Sequence, residues 1–426
     1  MSARIRMVLF VNLLSLLFST AILHSNQSTL PLRSFKVSLK HNSEIHRFFY
    51  YLECHISENV TYDCIDIYKQ PGLEHPFLKT HKIQVHRLRI PSAAHELKMQ
   101  TGKNETSDKR KIECPNGTVP ILRNTKEYVT NSQVFAEEHF HPLSADSPGT
   151  HIAGVRSSIG PFRGVQAWFS ANALNVGKDQ VSYGQIYIGS GSGNQVNYIS
   201  AGWIVYMATN VFGHLDFGRY VATNKLVFDE TIDQIGKDGK GCYNTACSGF
   251  VQVSKVIPIV RPIDLKPGVP GWFRYFIHQD INTGNWWMTQ LMQNIPDEDI
   301  GYWPKELFNL LENGANMVGV GGVVQASHSG SSPPMGNGNF PNGGRLDSGL
   351  FSNIEVLNSN YEQRKMNSFP VENLLDSEKC YGLRIGKKLY SVCKAKGKGG
   401  SKRKRKVTFA VTYDYVCLNL REAIVF

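Results

Sequence analysis

After residue 23 the sequence has no further run of about 18 apolar residues, which excludes a second membrane-spanning helix of ordinary length. The one long apolar run, residues 7–23, follows Arg4 and Arg6 and is succeeded by polar sequence with small residues. This order is typical of a cleaved secretory signal peptide, here residues 1–25, while an uncleaved anchor at the same place is the alternative. We therefore expect a secreted, extracellular protein without a stable membrane anchor.

The eight cysteines include no CxxC pair, so the sequence lacks the usual ligand spacing of a structural zinc site. An even number of cysteines in an oxidising compartment instead indicates disulfide bonds. The sequence also has no G-x-S-x-G motif, the turn that exposes the nucleophilic serine of many hydrolases. We expect no metal site and no cofactor.

Acidic residues are missing from residues 394–406, which carry eight lysines and arginines. The whole chain has a net charge of +11, so the remainder carries only +3, and the bulk charge gives little support to nucleic-acid binding. The run 402–406 would resemble a nuclear signal in isolation, which is at odds with a signal peptide. We interpret residues 391–426 as a basic, atypical tail whose run 394–406 is solvated, with an odd splice or a mispredicted gene end as the alternatives, and expect no nucleic-acid partner.

Sequons of the N-x-S/T type are confined to the first 120 residues, at Asn26, Asn59, Asn104 and Asn116. Their presence agrees with passage through the secretory pathway. We expect N-glycosylation at the last three of these asparagines.

The chain divides into a small amino-terminal unit and a larger one. Residues 28–120 suggest a small α+β pro-domain, because residues 43–58 place apolar side chains at helical spacing and residues 64–67 resemble a short strand. Residues 121–150 are polar and end at a Pro-Gly pair, as expected of a linker. Residues 151–390 form the second domain.

Helical periodicity is almost absent from residues 151–390; the exception is 304–311, which starts with proline and predicts one helix. Apolar and polar residues alternate over 181–188, and other short apolar segments, including 202–207 and 317–325, also predict strands. Residues 271–291 contain two aromatic segments around Asn-Thr-Gly-Asn, which predicts a β-hairpin. The fold class is therefore mainly β, an antiparallel sandwich or barrel.

Several short motifs resemble one family. They are DCIDIYKQP at 63–71, CYNTACSGFVQ at 242–252, NWW at 285–287, IGYWP at 300–304 and MGNGNFP at 335–341. Together they resemble the neprosin family, found mainly in plants, over about residues 60–385: the first resembles its activation peptide and the others its catalytic domain. The resemblance implies an antiparallel β-sandwich and, in active members, a glutamic endopeptidase that cuts after proline at acid pH.

The same resemblance implies two catalytic glutamates, one as general base for water and one, protonated, that polarises the scissile carbonyl. The first family glutamate precedes Ala-Gly-Trp, and Ser200 occupies that position here. The second follows Gly-Gly, and Val323 occupies that position. Neither side chain can replace a carboxylate as general acid or base near neutral pH, so no family catalytic residue is retained. We expect a pseudopeptidase that could still bind proline-rich extracellular peptides or proteins.

The alternative is an active endopeptidase that cuts at proline with other catalytic residues. Ser200 could act as nucleophile with His214 or His278 as base. The three acids at 297–299 are another possible source of carboxylates, although such a run before a predicted helix is more typical of a solvated loop. A structural protein with no ligand in the groove is the third possibility.

Six further residues are candidates for a peptide-binding groove, because they alternate along strands or give large aromatic contact area. They are Gln185, Tyr187, Trp203, Tyr206, Trp286 and Trp287. Two disulfides are also expected, Cys242 with Cys247 across a short loop and Cys64 with Cys114 inside the pro-domain.

Overall fold

The structure is a computed structural model. It describes residues 37–38, 51–57, 60–87, 112–123, 149–177, 180–192, 195–207, 225–239, 241–243, 245, 247–262, 265–292, 296–327, 330–341, 348–386 and 406–411. Within these ranges no helix is long and apolar enough to span a bilayer. The described chain forms three antiparallel sheets, of four, eight and nine strands.

The four-stranded sheet belongs to the amino-terminal unit. Its strands, in spatial order, are β1 (Val37–Ser38), β2 (Tyr51–Ser57), β3 (Val60–Asp66) and β4 (Thr118–Leu122). Three short 3-10 helices follow β3, at Ile67–Lys69, Pro71–Glu74 and Pro76–Leu78. The expected disulfide between Cys64 and Cys114 is confirmed, and it ties β3 to the residues just before β4.

The helix predicted over 43–58 is wrong for its carboxyl-terminal half. Tyr51–Ser57 form β2, which pairs antiparallel with β3 in the register Leu52 to Cys64. A short apolar segment fits either periodicity, and pairing with a neighbouring strand decides between them. Residues 39–50 lie outside the described part of the chain.

The eight-stranded sheet carries the segments that alternate most clearly in the sequence. Its strands are β5 (Thr150–Ser157), β7 (Val181–Ser192), β8 (Gln195–Met207), β9 (Lys225–Ile235), β10 (Gly241–Tyr243), β12 (Arg261–Pro262), β16 (Met317–Gln325) and β19 (Glu372–Leu375). The spatial order is β10-β9-β8-β7-β16-β5-β19, with β12 paired to β9. Strands distant in sequence therefore become neighbours around β16.

The nine-stranded sheet contains the predicted hairpin. Its strands are β6 (Gly164–Ala171), β11 (Val251–Gln252), β13 (Gly271–Gln279), β14 (Trp286–Gln290), β15 (Glu298–Trp303), β17 (Gly349–Leu357), β18 (Gln363–Lys365), β20 (Tyr381–Gly386) and β21 (Lys406–Val411). The spatial order is β11-β15-β14-β13-β6-β17-β21-β20, with β18 paired to β17. The hairpin is β13 with β14, where Gln279 pairs with Trp286.

One continuous core joins the two large sheets. Val318 and Val320 of β16 belong to the same buried cluster as Phe169 of β6 and Tyr275 of β13. Alternate residues of β6, β13 and β16 point into this core, as two-residue periodicity requires. The mainly β, antiparallel sandwich fold, preceded by a small amino-terminal unit, is thereby confirmed.

The helix predicted at 304–311 is only one turn long, a 3-10 helix at Lys305–Leu307. Phe308 is extended, and the backbone amides of Asn309 and Leu310 donate to the side-chain Oδ1 of Asn197. These amides are therefore not available for a longer helix. A second 3-10 turn is at Met366–Ser368.

Part of the basic tail is also different from the expectation. Lys406–Val411 form β21, which pairs with β17 and β20 inside the nine-stranded sheet. Of the run 394–406 that was predicted to be solvated, only Lys406 is described, and it begins this strand; Val407, Phe409 and Val411 after it alternate as in an ordinary strand. Residues 387–405 and 412–426 lie outside the described part of the chain.

Of the sequon asparagines, only Asn116 is among the described residues. It is exposed in the turn before β4, where Lys255 Nζ donates to its Oδ1 at 3.0 Å. Glycosylation at Asn59, Asn104 and Asn116 stays a prediction.

Candidate functional site

Strand pairing brings the two family glutamate positions to one face of the eight-stranded sheet. Ser200 of β8 pairs with Tyr187 of β7, and Val323 of β16 pairs with Tyr183 of the same strand. Tyr183 and Tyr187 are an even number of residues apart, so they lie on the same face. Ser200 and Val323 therefore share that face, on two strands that are both neighbours of β7. We call this the Ser200 face; the opposite face of the sheet points into the core.

Between these two positions runs a cross-strand row that carries almost no side chains. Gln185 of β7 pairs with Gly202 of β8 on one side and with Gly321 of β16 on the other. Gly321 in turn pairs with Gly154 of β5. Gln185 is therefore the one side chain in a row of three glycines, and it is 3% exposed. A Cβ added at Gly202 would lie 1.9 Å from the backbone oxygen of Gly184, so glycine is needed here for the close approach of the strands beside this single amide.

The next row is filled by Tyr187. Gly319 of β16 pairs with Tyr187, and a Cβ placed on Gly319 would lie 2.2 Å from the tyrosine Oη. The ring of Tyr187 therefore lies across β16 and needs glycine there. It also stacks on Tyr198 with 5.6 Å between ring centroids.

A charged pair stands at the far end of the same row. Gly319 pairs with Arg156 of β5, and Arg156 pairs with Glu372 of β19. Arg156 Nε donates to Glu372 Oε1 at 2.5 Å, and Ser158 Oγ donates to the same oxygen at 2.9 Å. These hydrogen bonds lower the pKa of Glu372, with the one from Arg156 the larger cause. The carboxylate is thus held in its charged form and is not suited to act as a general acid.

Tyr187 supplies a neutral hydroxyl in this row. Burial raises the pKa of Tyr187 above its ordinary value, although the charge of Arg156 acts in the opposite direction. Its Oη has no hydrogen-bond partner among the described atoms. A buried hydroxyl of this kind can donate to a carbonyl oxygen of a ligand.

On its other side Ser200 pairs with Asp233 of β9. Only the backbone of Asp233 is described, so its register position is what the structure gives. The sequence offered no local signal for this neighbour, nor for Arg156 and Glu372, because all three are brought to Ser200 by long-range strand pairing.

His278 does not pair with Ser200. His278 belongs to β13, whose preceding residue Ile277 points into the core, so His278 lies on the outer face of the nine-stranded sheet. Ser200 lies on the outer face of the other sheet, with the whole core between them. The hypothesis of a serine nucleophile with His278 as base is therefore wrong, and His214 lies outside the described residues.

Of the acids at 297–299, Asp297 is exposed just before β15, as expected of a solvated loop, whereas Glu298 and Asp299 belong to the strand. Glu298 and Asp299 begin β15, where Ser254 Oγ donates to Glu298 Oε1 at 2.6 Å and Thr289 Oγ1 donates to Asp299 Oδ1 at 2.7 Å. Asp297 accepts from the backbone amide of Met292. All three belong to the nine-stranded sheet or its border, far from the Ser200 face.

The groove candidates separate into different environments. Gln185 and Tyr187 lie together on the Ser200 face. Trp203 and Trp286 are fully buried members of the core, and Trp203 packs against Gly184, whose added Cβ would lie 2.8 Å from the indole Nε1. These two tryptophans therefore do not line the Ser200 face.

Trp287 and Tyr206 have other positions. Trp287 lies on the outer face of the nine-stranded sheet, in a small cluster with Val251 and Tyr302 that Leu73 and Ile83 cover. Tyr206 is described by its backbone, which pairs with Val181. The disulfide expected between Cys242 and Cys247 is confirmed.

His278 makes the stability of the fold dependent on pH. It is 1% exposed, and its Nε2 lies 3.3 Å from Thr289 Oγ1. Desolvation by burial is the main reason that the pKa of His278 is lowered well below its ordinary value, and the charge of Arg87 adds to it. The folded protein therefore holds His278 neutral, whereas the unfolded chain takes up a proton near about pH 6.5.

We expect the free energy of unfolding to fall as the pH drops below about 6.5, because the unfolded state then binds the extra proton. His278 alone contributes at most about 1.4 kcal/mol per pH unit, down to its lowered pKa in the folded state. Urea unfolding at about pH 7.5 and about pH 5, with His278→Gln alongside, measures this part. An equal loss of stability in both proteins would contradict a neutral His278.

Comparisons with known proteins agree with the family motifs. A family model described as Neprosin matches residues 178–396, which is more than half of the chain, and one described as Neprosin activation peptide matches residues 57–146. Among solved structures, a crystal structure of Scytalido-glutamic peptidase with a peptide-based transition state analog is similar at 7% identity. That similarity covers 61% of this chain and 98% of the other, with a TM-score of 0.31. SCP-B, a member of the Eqolisin family of peptidases in a complex with the tripeptide Ala-Ile-His, is similar at 8% identity, with 62% and 98% covered and a TM-score of 0.30.

Proposed function

The chain belongs to the neprosin family, and we propose that it is a secreted pseudopeptidase of that family, one that binds proline-rich extracellular peptides without cleaving them. The observation that carries the proposal is the Ser200 face itself. Two positions that face the same side of one sheet, and that hold acids in active relatives, here hold a hydroxyl and an isopropyl group. The nearest described carboxylate in the row, Glu372, is bound to Arg156.

The loss of catalysis follows from proton transfer. Hydrolysis of a peptide bond at acid pH needs one group that removes a proton from water and one that donates to the carbonyl oxygen. Each such group is worth about 10²- to 10⁴-fold in rate. Ser200 is not a base by itself, and Val323 has no proton to exchange, so water on this face is not activated by either of them.

Binding is supported by the hydrogen-bonding groups that remain. A proline residue has no backbone N–H, so a proline-rich peptide presents mainly carbonyl oxygens and needs donors from its binder. The amide of Gln185 and the neutral hydroxyl of Tyr187, which has no partner among the described atoms, are such donors on the Ser200 face. A rigid polyproline segment also loses little entropy on binding.

The test is an acid-pH digest of a proline-rich peptide combined with a binding measurement on the same peptide. We expect binding with no cleavage above the rate of peptide alone, and roughly fivefold weaker binding for Tyr187→Phe, since one hydrogen bond is lost. Cleavage by the unmodified protein would remove the pseudopeptidase proposal. Absence of binding would instead favour a structural extracellular protein.

One observation favours a second candidate, an active endopeptidase. Asp233 of β9 occupies the register position next to Ser200, so a carboxyl-bearing residue is adjacent to a family glutamate position. If the unmodified protein cleaves the peptide, Asp233→Asn should abolish the activity under this second candidate. Activity that survives Asp233→Asn would exclude Asp233 as its source.

A further inference from the structure

The amino-terminal unit shares the hydrophobic core of the sandwich. Tyr62, Leu78 and Cys114 belong to the same buried cluster as the residues between the two large sheets. Tyr62 is fully buried, and its Oη donates to the backbone carbonyl of Val260 at 2.6 Å. Removal of this unit would therefore open the core to water.

Gln70 closes an edge of the nine-stranded sheet. Strand β11 lies at that edge, so among the described strands none pairs with the outer side of the Gln252 backbone. The side chain of Gln70 takes that place: its Oε1 accepts from Gln252 N at 2.7 Å and its Nε2 donates to Gln252 O at 3.0 Å. Next to it, Gly249 N donates to Gly72 O at 2.9 Å. The amino-terminal unit thus satisfies edge groups that would otherwise be open to pairing with another chain.

The approach is so close at Gly72 that only glycine fits. A Cβ there would lie 1.9 Å from the backbone oxygen of Phe250. Beyond it, Leu73 and Ile83 cover Trp287 and Tyr302. The phenol Oη of Tyr302 accepts from the backbone amide of Gln84 at 2.8 Å and lies 2.9 Å from His81 Nε2. Burial raises the pKa of Tyr302 to about 12, so this hydroxyl is neutral.

A second amide is held in a polar socket at the β13–β14 turn. Gln84 Nε2 donates to Asp280 Oδ2 at 3.2 Å, and its Oε1 accepts from Thr283 Oγ1 at 2.9 Å and from Asn285 Nδ2 at 2.8 Å. The socket is selective for an amide, because it offers both donors and a carboxylate acceptor. Three residues later, Arg87 Nε donates to Asp299 Oδ1 at 2.7 Å.

We propose that residues 60–123 are a permanent subunit of the folded protein, which stays bound to the sandwich after the chain is cut between residues 123 and 149. Release of residues 60–123 would expose the shared core, open the sheet edge at β11 and empty the amide socket at the same time. The dissociated state is therefore strongly disfavoured. The hydrogen bonds of Gln70, Gly72 and Gln84 across to the sandwich lie at the edge and outer face of the nine-stranded sheet, and none of them involves Ser200 or Val323. The proposal therefore does not depend on the proposed function.

The experiment uses the full chain with a site-specific protease sequence inserted within residues 124–148. After complete cleavage, we expect both fragments to elute together by size exclusion in native buffer and to separate on a non-reducing denaturing gel. Separate elution of the amino-terminal fragment in native buffer would overturn the proposal. So would fragments that stay joined on the denaturing gel, because a covalent bond would then explain retention.

Three variants of the cut protein test the socket. Gln84→Ala should release the fragment about 10- to 100-fold faster, because it leaves buried polar groups unpaired. Gln84→Glu should act at least as strongly at neutral pH, because a carboxylate then faces the carboxylate of Asp280. Lys82→Ala, an exposed residue of the same segment, is the matched control and should leave release unchanged. Equal release rates for all three would overturn the role of Gln84.

Discussion

Replacing Ser200 and Val323 together by glutamate is expected to produce a peptidase that cleaves a proline-containing peptide at acid pH. The two positions share one face of the sheet with Gln185 between their rows, so the scaffold for a carboxyl pair is present. Since each proton-transfer group is worth about 10²- to 10⁴-fold, the double variant should exceed the unmodified protein by at least about 10²-fold. The measurement is the initial rate of peptide cleavage between about pH 3 and about pH 7. A bell-shaped dependence of this rate on pH is expected, because one carboxyl group must be ionised and the other protonated.

The matched controls keep size and remove ionisation. Ser200→Gln with Val323→Gln should fold as the glutamate pair does but remain inactive, and each single glutamate should also remain inactive, since the two groups act as a unit. A double glutamate variant that is folded, as judged by its unfolding midpoint, and still inactive would mean that further parts of the catalytic apparatus are absent. Cleavage by the glutamine pair would mean that the activity has another origin.

The strands of the sandwich could be predicted because burial on one face leaves a two-residue period in the sequence. The β13–β14 hairpin follows from that period, which the burial of Gly271–Gln279 shows, and from its turn residues. The same period also shows that Trp203 cannot line the face that carries Ser200. It lies an odd number of residues after Ser200 on β8, so the two must lie on opposite faces.

Other features depend on partners that are remote in sequence. The helix expected at 304–311 was prevented by Asn197, whose side chain binds the amides of Asn309 and Leu310. The pair of Arg156 and Glu372 is separated by more than 200 residues and forms only because β5 meets β19. The local sequence pattern does not predict which distant strands will pair. These parts of the candidate site could therefore be identified only from the structure.

Gly319→Ala is expected to destabilise the protein by about 3 kcal/mol, although it adds a single methyl group. That methyl would lie 2.2 Å from Tyr187 Oη and 2.7 Å from the backbone oxygen of Val155, and neither distance is tolerated. Tyr187 must leave its place beside Tyr198, which would disrupt the Ser200 face from within. The measurement is the free energy of unfolding in urea.

A double-mutant cycle with Tyr187→Ala assigns the cause. If the clash with the tyrosine ring dominates, the two substitutions together should cost less than the sum of their separate effects, by about 1 kcal/mol or more. Tyr187→Phe alone should be close to neutral, because the hydroxyl that it removes is buried without a described partner. If the two effects were strictly additive, the destabilisation would come from the clash with the backbone oxygen of Val155 instead. In that case the role of the Tyr187 hydroxyl would be measured by the peptide affinity of Tyr187→Phe, whose stability is unchanged.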